Sequence, residues 1–253
     1  EKGSIDAVGL APTGTKLLAM SSHVARIFDR DQWQNAATHA SGIRESCTTP
    51  NRQWTATCGG DGSVYIWNLN MGEVARTIRV PSQGLSALAM SDDGELIATG
   101  YTSGSVKVWK GSPAEVIAEY NSGTRVAALA FNADTTVLAM ADAKNGLMLL
   151  DPHRSTTPNI LKQSRTIVPL YNRLFFLPTD GRLLALESGR GDILTLTDPL
   201  LPQIETIDSL GGNAQLVSLS SDGKRLAMAD REETAVWIMD LEKKQITATL
   251  DIP

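Results

Sequence analysis

A chain of 253 residues and 27.1 kDa, 42% hydrophobic, is long enough to bury a large core, and its net charge of −5 with a pI near 5.3 gives no basic footprint for wrapping nucleic acid or an anionic membrane. Two cysteines and three scattered histidines offer no zinc-ligand spacing. The longest apolar runs are too short for a membrane span and no charged-then-apolar leader opens the chain, which begins with Glu1 rather than Met and reads as a piece of a larger protein.

Taken in order, the chain repeats one pattern of turn, strand, tight turn and strand. The first unit, from Ile5 to about His39, has the turn Pro12-Thr13-Gly14, a strand at Leu17 to Met20 and a second at Ala25 to Asp29. The second is the most complete. It alternates around Ile43 to Cys47, turns at Pro50-Asn51-Arg52, continues from Trp54 to Cys58, and turns again at Gly59-Gly60-Asp61-Gly62. Val64-Tyr65-Ile66-Trp67 follows, β-branched and aromatic as a strand requires, with an outer strand expected over Glu73 to Val80. The third unit turns at Ser91 to Gly94, with strands at Leu96 to Thr99 and Gly104 to Trp109. The fourth turns at Asn132 to Thr135, with strands at Val137 to Met140 and Leu147 to Asp151. The fifth is the least regular, with Arg173 to Leu177, the turn Thr179-Asp180-Gly181, Leu183 to Leu186 and Asp192 to Asp198, after a longer connection between about Ile160 and Tyr171. The sixth carries Ser221-Asp222-Gly223, Arg225 to Ala229, Val236 to Asp240 and an outer strand near Gln245 to Leu250.

The equivalent turn positions are 14, 52, 94, 135, 181 and 223, at intervals of 38, 42, 41, 46 and 42. A period of about 40 to 45 residues is that of a four-stranded propeller blade. The expected fold is therefore all-β: a β-propeller of four-stranded antiparallel blades, one domain over 1–253 with blades at about 5–41, 42–83, 84–122, 123–163, 164–211 and 212–253. Six blades are readable, and a seven-bladed or larger ring stays open, because an open ring would expose blade faces and strand edges.

The second unit resembles a WD (tryptophan-aspartate) repeat. Asp61 falls 22 residues after His39 and Trp67 falls 28 after it, the slots of the family's turn Asp and terminal Trp, with Thr57 in its Ser/Thr slot. The resemblance implies a hydrogen-bonded chain from Trp67 indole to Thr57 hydroxyl to His39 imidazole to Asp61 carboxylate, and an indole, a hydroxyl, a two-nitrogen ring and a carboxylate can satisfy one another away from water. In the third unit Pro81 takes the His slot and Ser103 the Asp slot, so the chain there is expected to be incomplete.

Pairing around Pro50 to Arg52 places Cys47 opposite about position 55 rather than Cys58, so no disulfide is expected, and two buried thiols suit a reducing, cytoplasmic location. Thr57 beside a His and an Asp could suggest a nucleophile, but the repeat already uses all three structurally. Asp92-Asp93 and Glu232-Glu233 fall in turns. Ser188 to Asp192 resembles a phosphate loop without its helix, and the Arg190-Gly191-Asp192 triplet would suggest an integrin ligand only in a secreted protein. No catalytic residue, metal or cofactor is expected.

Function is then read from the face where the turns between second and third strands gather. Ser22, His23, Asp61, Ser103, Lys144, Arg190 and Arg231 belong there, with Arg44 and Arg125 near the starts of first strands. Arg44, Arg125, Lys144, Arg190 and Arg231 form the candidate partner-binding face, suited to an acidic or phosphorylated peptide. The expected function is a non-catalytic protein-protein interaction scaffold or sensor, as the resemblance also implies. The alternative is a small-ligand binder or hydrolase at the central channel, against which stand the largely apolar first-strand starts Ile5, Ile43, Leu85, Val126, Leu174 and Gln215.

Overall fold

A computed structural model describes residues 7–21, 23–29, 32–111, 113–154, 159–161, 171–187, 190–196, 202–207, 210, 216–229 and 235–251. Among these the chain forms only strands and turns, arranged as a β-propeller of six blades. Blade 1 holds β1 (Ala7–Leu10), β2 (Lys16–Ser21), β3 (Val24–Asp29) and β4 (Gln32–Thr38). Blade 2 holds β5 (Ile43–Thr48), β6 (Trp54–Gly59), β7 (Ser63–Asn68) and β8 (Glu73–Arg79). Blade 3 holds β9 (Leu85–Met90), β10 (Leu96–Tyr101), β11 (Ser105–Lys110) and β12 (Glu115–Asn121). Blade 4 holds β13 (Val126–Phe131), β14 (Leu138–Asp142), β15 (Gly146–Leu150) and β16 (Asn159–Ile160). Blade 5 holds β17 (Arg173–Phe176), β18 (Leu183–Glu187), β19 (Arg190–Thr195) and β20 (Gln203–Ile207), and blade 6 holds β21 (Leu216–Leu219), β22 (Arg225–Ala229), β23 (Ala235–Asp240) and β24 (Gln245–Asp251). Strands pair antiparallel in chain order within every blade.

Successive residues of a strand point to opposite faces, so a sheet packed between two neighbours must be apolar on both sides. That is why β10, β14 and β15 are buried along their whole length, whereas the outer strand β8 alternates exposed and covered residues. In each of blades 2 to 6 one row of paired residues packs against the preceding blade. In blade 3 that row is Met90, Ile97 and Trp109; in blade 4 it is Phe131, Leu138 and Leu150; in blade 6 it is Leu219, Leu226 and Met239. The opposite face meets the following blade, as Ala56, Cys58, Val64, Ile66 and Ile78 of blade 2 meet blade 3. The first strands β5, β9, β13 and β17 lie side by side along the centre.

The turn joining first and second strands has the same form in five blades, and a variant in blade 5, where Gly181 donates to the Leu177 carbonyl four residues back instead of three. Its key residue has positive φ each time: Gly14 (70°), Arg52 (57°), Gly94 (76°), Thr135 (59°), Gly181 (70°) and Gly223 (66°). Its N–H is donated back across the turn, for example Gly94 to Ser91 and Thr135 to Asn132, both backbone carbonyls. Glycine adopts this conformation without a Cβ penalty, while Thr135 is β-branched and strained there. Thr135→Gly is expected to raise stability by about 0.5–1 kcal/mol, the relieved left-handed strain exceeding glycine's extra unfolded-state entropy. A thermal melt checks this, and the contradicting result is an unchanged or lowered midpoint.

Candidate functional site

Blade 2 carries a buried polar chain whose members come from three separate segments. His39 lies just before β5, Thr57 on β6, and Ser63 and Trp67 on β7; all four are buried. The Trp67 indole N–H donates to Thr57 Oγ1 at 3.1 Å, and Thr57 Oγ1 lies 2.9 Å from His39 Nε2. His39 Nδ1 lies 3.0 Å from Ser63 Oγ, and the Ser63 hydroxyl donates to Asp61 Oδ1 at 2.6 Å. The Ser63 backbone N–H also donates to Asp61 Oδ1, at 3.1 Å.

The expected direct link from imidazole to carboxylate is therefore corrected: Ser63 stands between His39 and Asp61. Counting donors assigns the protons. Ser63 gives its hydrogen to Asp61 and so accepts from Nδ1–H, while Thr57 accepts from Trp67 and gives its own hydrogen to Nε2. Every group is satisfied only by neutral His39 protonated on Nδ1. Burial lowers the His39 pKa below its ordinary 6.5, with the nearby Asp61 charge opposing. Its hydrogen bond from the Ser63 hydroxyl lowers the Asp61 pKa below 3.8.

Both shifts give the same sign. A group whose folded pKa lies below its unfolded value stabilises the fold above the unfolded value and loses that contribution as pH falls through the folded one. Melting temperature is thus expected to fall as pH is lowered from 6.5, and His39→Gln, which removes the titrating ring, should flatten that part of the profile. Parallel profiles for the two proteins would contradict the assignment.

Space for the chain depends on Gly59. A Cβ there would lie 2.4 Å from His39 Nδ1 and 2.5 Å from Asp61 Oδ1. In blade 3 the corresponding position is Tyr101, which pairs with Leu85 as Gly59 pairs with Ile43. Blade 3 thus has Pro81 at the histidine's place in the sequence and a tyrosine at the register position where blade 2 has glycine. Trp109 still donates to Thr99 Oγ1, at 2.8 Å, but Tyr101 Oη and Ser105 Oγ are buried without hydrogen-bond partners among the described residues. The incomplete chain expected for this blade is what the structure shows.

Blade 5 builds another buried network, of residues that nothing in the repeat pattern marked. Asp192 accepts a hydrogen bond from the Tyr171 hydroxyl and another from Thr206 Oγ1 at 2.8 Å, with Asp192 and Tyr171 buried. The Arg190-Gly191-Asp192 triplet lies within β19 rather than in an exposed turn, so its aspartate is not free for a receptor.

The candidate partner face is only partly assembled as expected. Arg44, Arg125 and Lys144 are exposed; a Cβ on Gly60 would come within 3.2 Å of Arg44 Nε, which places that side chain over the blade 2 turn. His23 is exposed in the blade 1 turn. Arg190 begins β19, with Nε 3.5 Å from Glu187 Oε1, and is already paired. Arg231 and Ser22 lie outside the described residues, as do Ile5, Gln215 and residues 162–170.

Two further charged residues belong to this mouth. Burial raises the Glu45 pKa above its ordinary value, while Arg173 and Arg125 oppose the rise. Glu45 is on β5, Arg173 opens β17 and Arg125 immediately precedes β13. Charges from blades 2, 4 and 5 therefore act on one another at the centre, although the first-strand starts read as apolar. Nothing in the sequence marks Arg173 for this role, since it is one charge at the head of the apolar run Leu174 to Leu177.

Cys47 and Cys58 are both free. Cys47 pairs with Ala56 and Cys58 with Glu45, and burial pushes each thiol up to about 12. Among the described residues there is no cluster of three or more metal-ligating side chains.

The profile of the WD domain, G-beta repeat, matches residues 34–68 and 72–110, the stretches that end blade 1 and run through blades 2 and 3. WD repeat-containing protein 90 of Xenopus tropicalis is 25% identical over 187 residues, 68% of this chain and 10% of the relative. The Mus musculus protein of the same name is 27% identical over 135 residues, 50% of this chain and 7% of the relative. The small ribosomal subunit protein RACK1y of Oryza sativa subsp. japonica is 34% identical over 75 residues, 27% of this chain and 22% of the relative. The chain thus spans about a tenth or less of the length of the first two. Matched repeats, relatives named for them and six four-stranded blades make this chain a β-propeller that carries WD repeats across blades 2 and 3.

Proposed function

We propose that this propeller is a non-catalytic protein-interaction module that takes an acidic or phosphorylated peptide at its channel mouth. The observation carrying this reading is local charge. In a chain of net charge −5, the mouth presents Arg44, Arg125, Arg173 and Lys144 as exposed cations, against Glu45 and Asp61. Such a patch steers an anionic partner, and guanidinium groups bind carboxylate or phosphate through paired N–H donors. A relative named as a protein of the small ribosomal subunit is by that name part of an assembly, which fits a scaffold. Two unpaired cysteines fit a reducing compartment such as the cytoplasm.

The test is fluorescence anisotropy with labelled glutamate-rich and phosphoserine peptides. Binding that weakens with salt, and a Kd raised about tenfold or more by combined Arg44→Glu, Arg125→Glu and Arg173→Glu, is expected. Equal affinity of variant and parent would overturn the proposal.

A further inference from the structure

The four first strands that lie side by side along the centre can be read level by level, because their pairing is in register. Thr48, Met90, Phe131 and Phe176 each pair into the row that packs on the preceding blade. Three residues earlier, opposite Cys58, Gly100, Ala141 and Leu186, stand Glu45, Ala87, Ala128 and Arg173. At this level blades 3 and 4 carry alanine, while blades 2 and 5 carry charges of opposite sign. Arg125, immediately before β13, adds a second cation from blade 4.

Glu45 is held differently from the other carboxylates that face inward. Asp61 is tied by Ser63, Asp142 by Lys144 and Asn145, and Asp192 by Tyr171 and Thr206, all through hydrogen bonds. Glu45 is half-buried, yet what acts on its carboxyl is burial first and then the charges of Arg173 and Arg125, with no hydrogen bond among them. Burial favours the neutral acid, and the two guanidinium groups favour the carboxylate. An oxyanion seated on those arginines cancels their field and sets a like charge beside Glu45. Both changes favour the acid. A protonated carboxyl has an O–H to give, and a bound oxyanion accepts it.

We propose that Glu45 is a proton-linked gate of the channel mouth: an oxyanion of the ligand, seated on Arg125 and Arg173, is held together with one proton that Glu45 takes from solvent and donates to it as a hydrogen bond. With no ligand on the arginines, ionised Glu45 repels the same oxyanion, so the ligand is held more tightly as pH falls and released as it rises. This inference rests on the channel-mouth reading and names its regulation. The groups that face Glu45 from the neighbouring elements do not supply the effect. Cys58, its pairing partner, and Cys47 are pushed up to about 12, β9 carries no ionisable side chain, and Arg44 is a permanent cation. Asp61 is held below its ordinary value and His39 is kept neutral by burial. His23 is exposed on the same face and is removed for the test.

Isothermal titration calorimetry of the 253-residue chain carrying His23→Gln, in pairs of buffers that differ in ionisation enthalpy, counts the proton directly. The probe is a sulfotyrosine peptide, whose sulfate ester keeps a constant charge between about pH 6 and about pH 8. At the lower pH the parent should take up about 0.3 proton or more per peptide and bind about threefold or more tighter than at the higher pH. Glu45→Gln, and Glu45→Ala, which copies blades 3 and 4, should bind about threefold or more tighter than the parent at the higher pH, with no proton uptake and one affinity at both. Peptide binding that needs the arginines but takes up no proton, or that Glu45→Gln does not tighten, overturns this inference and leaves the channel-mouth reading standing. No binding, or equal binding by the combined Arg44→Glu, Arg125→Glu and Arg173→Glu variant, overturns both.

Discussion

Gly59→Ala is expected to destabilise the protein by about 2–4 kcal/mol, although the same change at an unobstructed strand position gains about 0.5–1 kcal/mol, because the new Cβ must displace a satisfied buried network. The Cβ falls 2.4 Å from His39 Nδ1 and 2.5 Å from Asp61 Oδ1, and neither group can retreat. His39 is buried and tied at both nitrogens, and Asp61 is held by two bonds to Ser63. Moving the ring breaks its bond to Thr57 or to Ser63 and leaves buried polar atoms unpaired. Denaturant unfolding measures the change. A cost below about 1 kcal/mol would mean that the network adjusts freely and is not the rigid element described here. Tyr101→Phe supplies the contrast in blade 3: its hydroxyl has no partner among the described residues, so removing it should change stability little.

Trp67→Ala is expected to cost about 3–5 kcal/mol, the range for emptying a buried aromatic site. The side chain is fully buried and packs with Leu18, Met20, Ala25, Ile27 and Leu69, so it joins blade 1 to blade 2 as well as anchoring the polar chain. Trp67→Phe keeps most of the packing and removes the donor to Thr57 Oγ1; its smaller cost, about 1–2 kcal/mol, would isolate the hydrogen-bond part. Equal effects of the two substitutions would contradict that division. The loss in Trp67→Ala should also appear as faster hydrogen exchange in β2 and β3, since a blade is stabilised mainly by its neighbours.

The fold was legible because blade turns need special residues. Positions 14, 94, 181 and 223 are glycines with positive φ, and Arg52 and Thr135 adopt the same conformation at the same place in the period. Alternation did the rest, marking strands apolar on both faces. The polar chain was legible in residue types but not in connection. Ser63 looks like the ordinary start of a strand, and only the third dimension puts its hydroxyl between His39 and Asp61. The exchange of Gly59 for Tyr101 was hidden for the same reason: its sense depends on the exchange of His39 for Pro81, and only the folded chain sets His39 against Gly59. Asp192 was masked by its short motif, whose chemistry assumes exposure. Arg173 was masked by apolar neighbours on its strand.

We propose a division of labour in which His39, Thr57, Ser63, Asp61 and Trp67 hold blade 2 together and the exposed arginines at the channel mouth take the partner. The measurement that tests it most directly is capture of the natural partner from extract, below the melting point of every bait, by Thr57→Val and by combined Arg44→Glu, Arg125→Glu and Arg173→Glu. Thr57→Val should melt lower yet retain the partner, and the arginine variant should melt like the parent yet lose it. Loss of the partner by Thr57→Val with retention by the arginine variant would contradict the account.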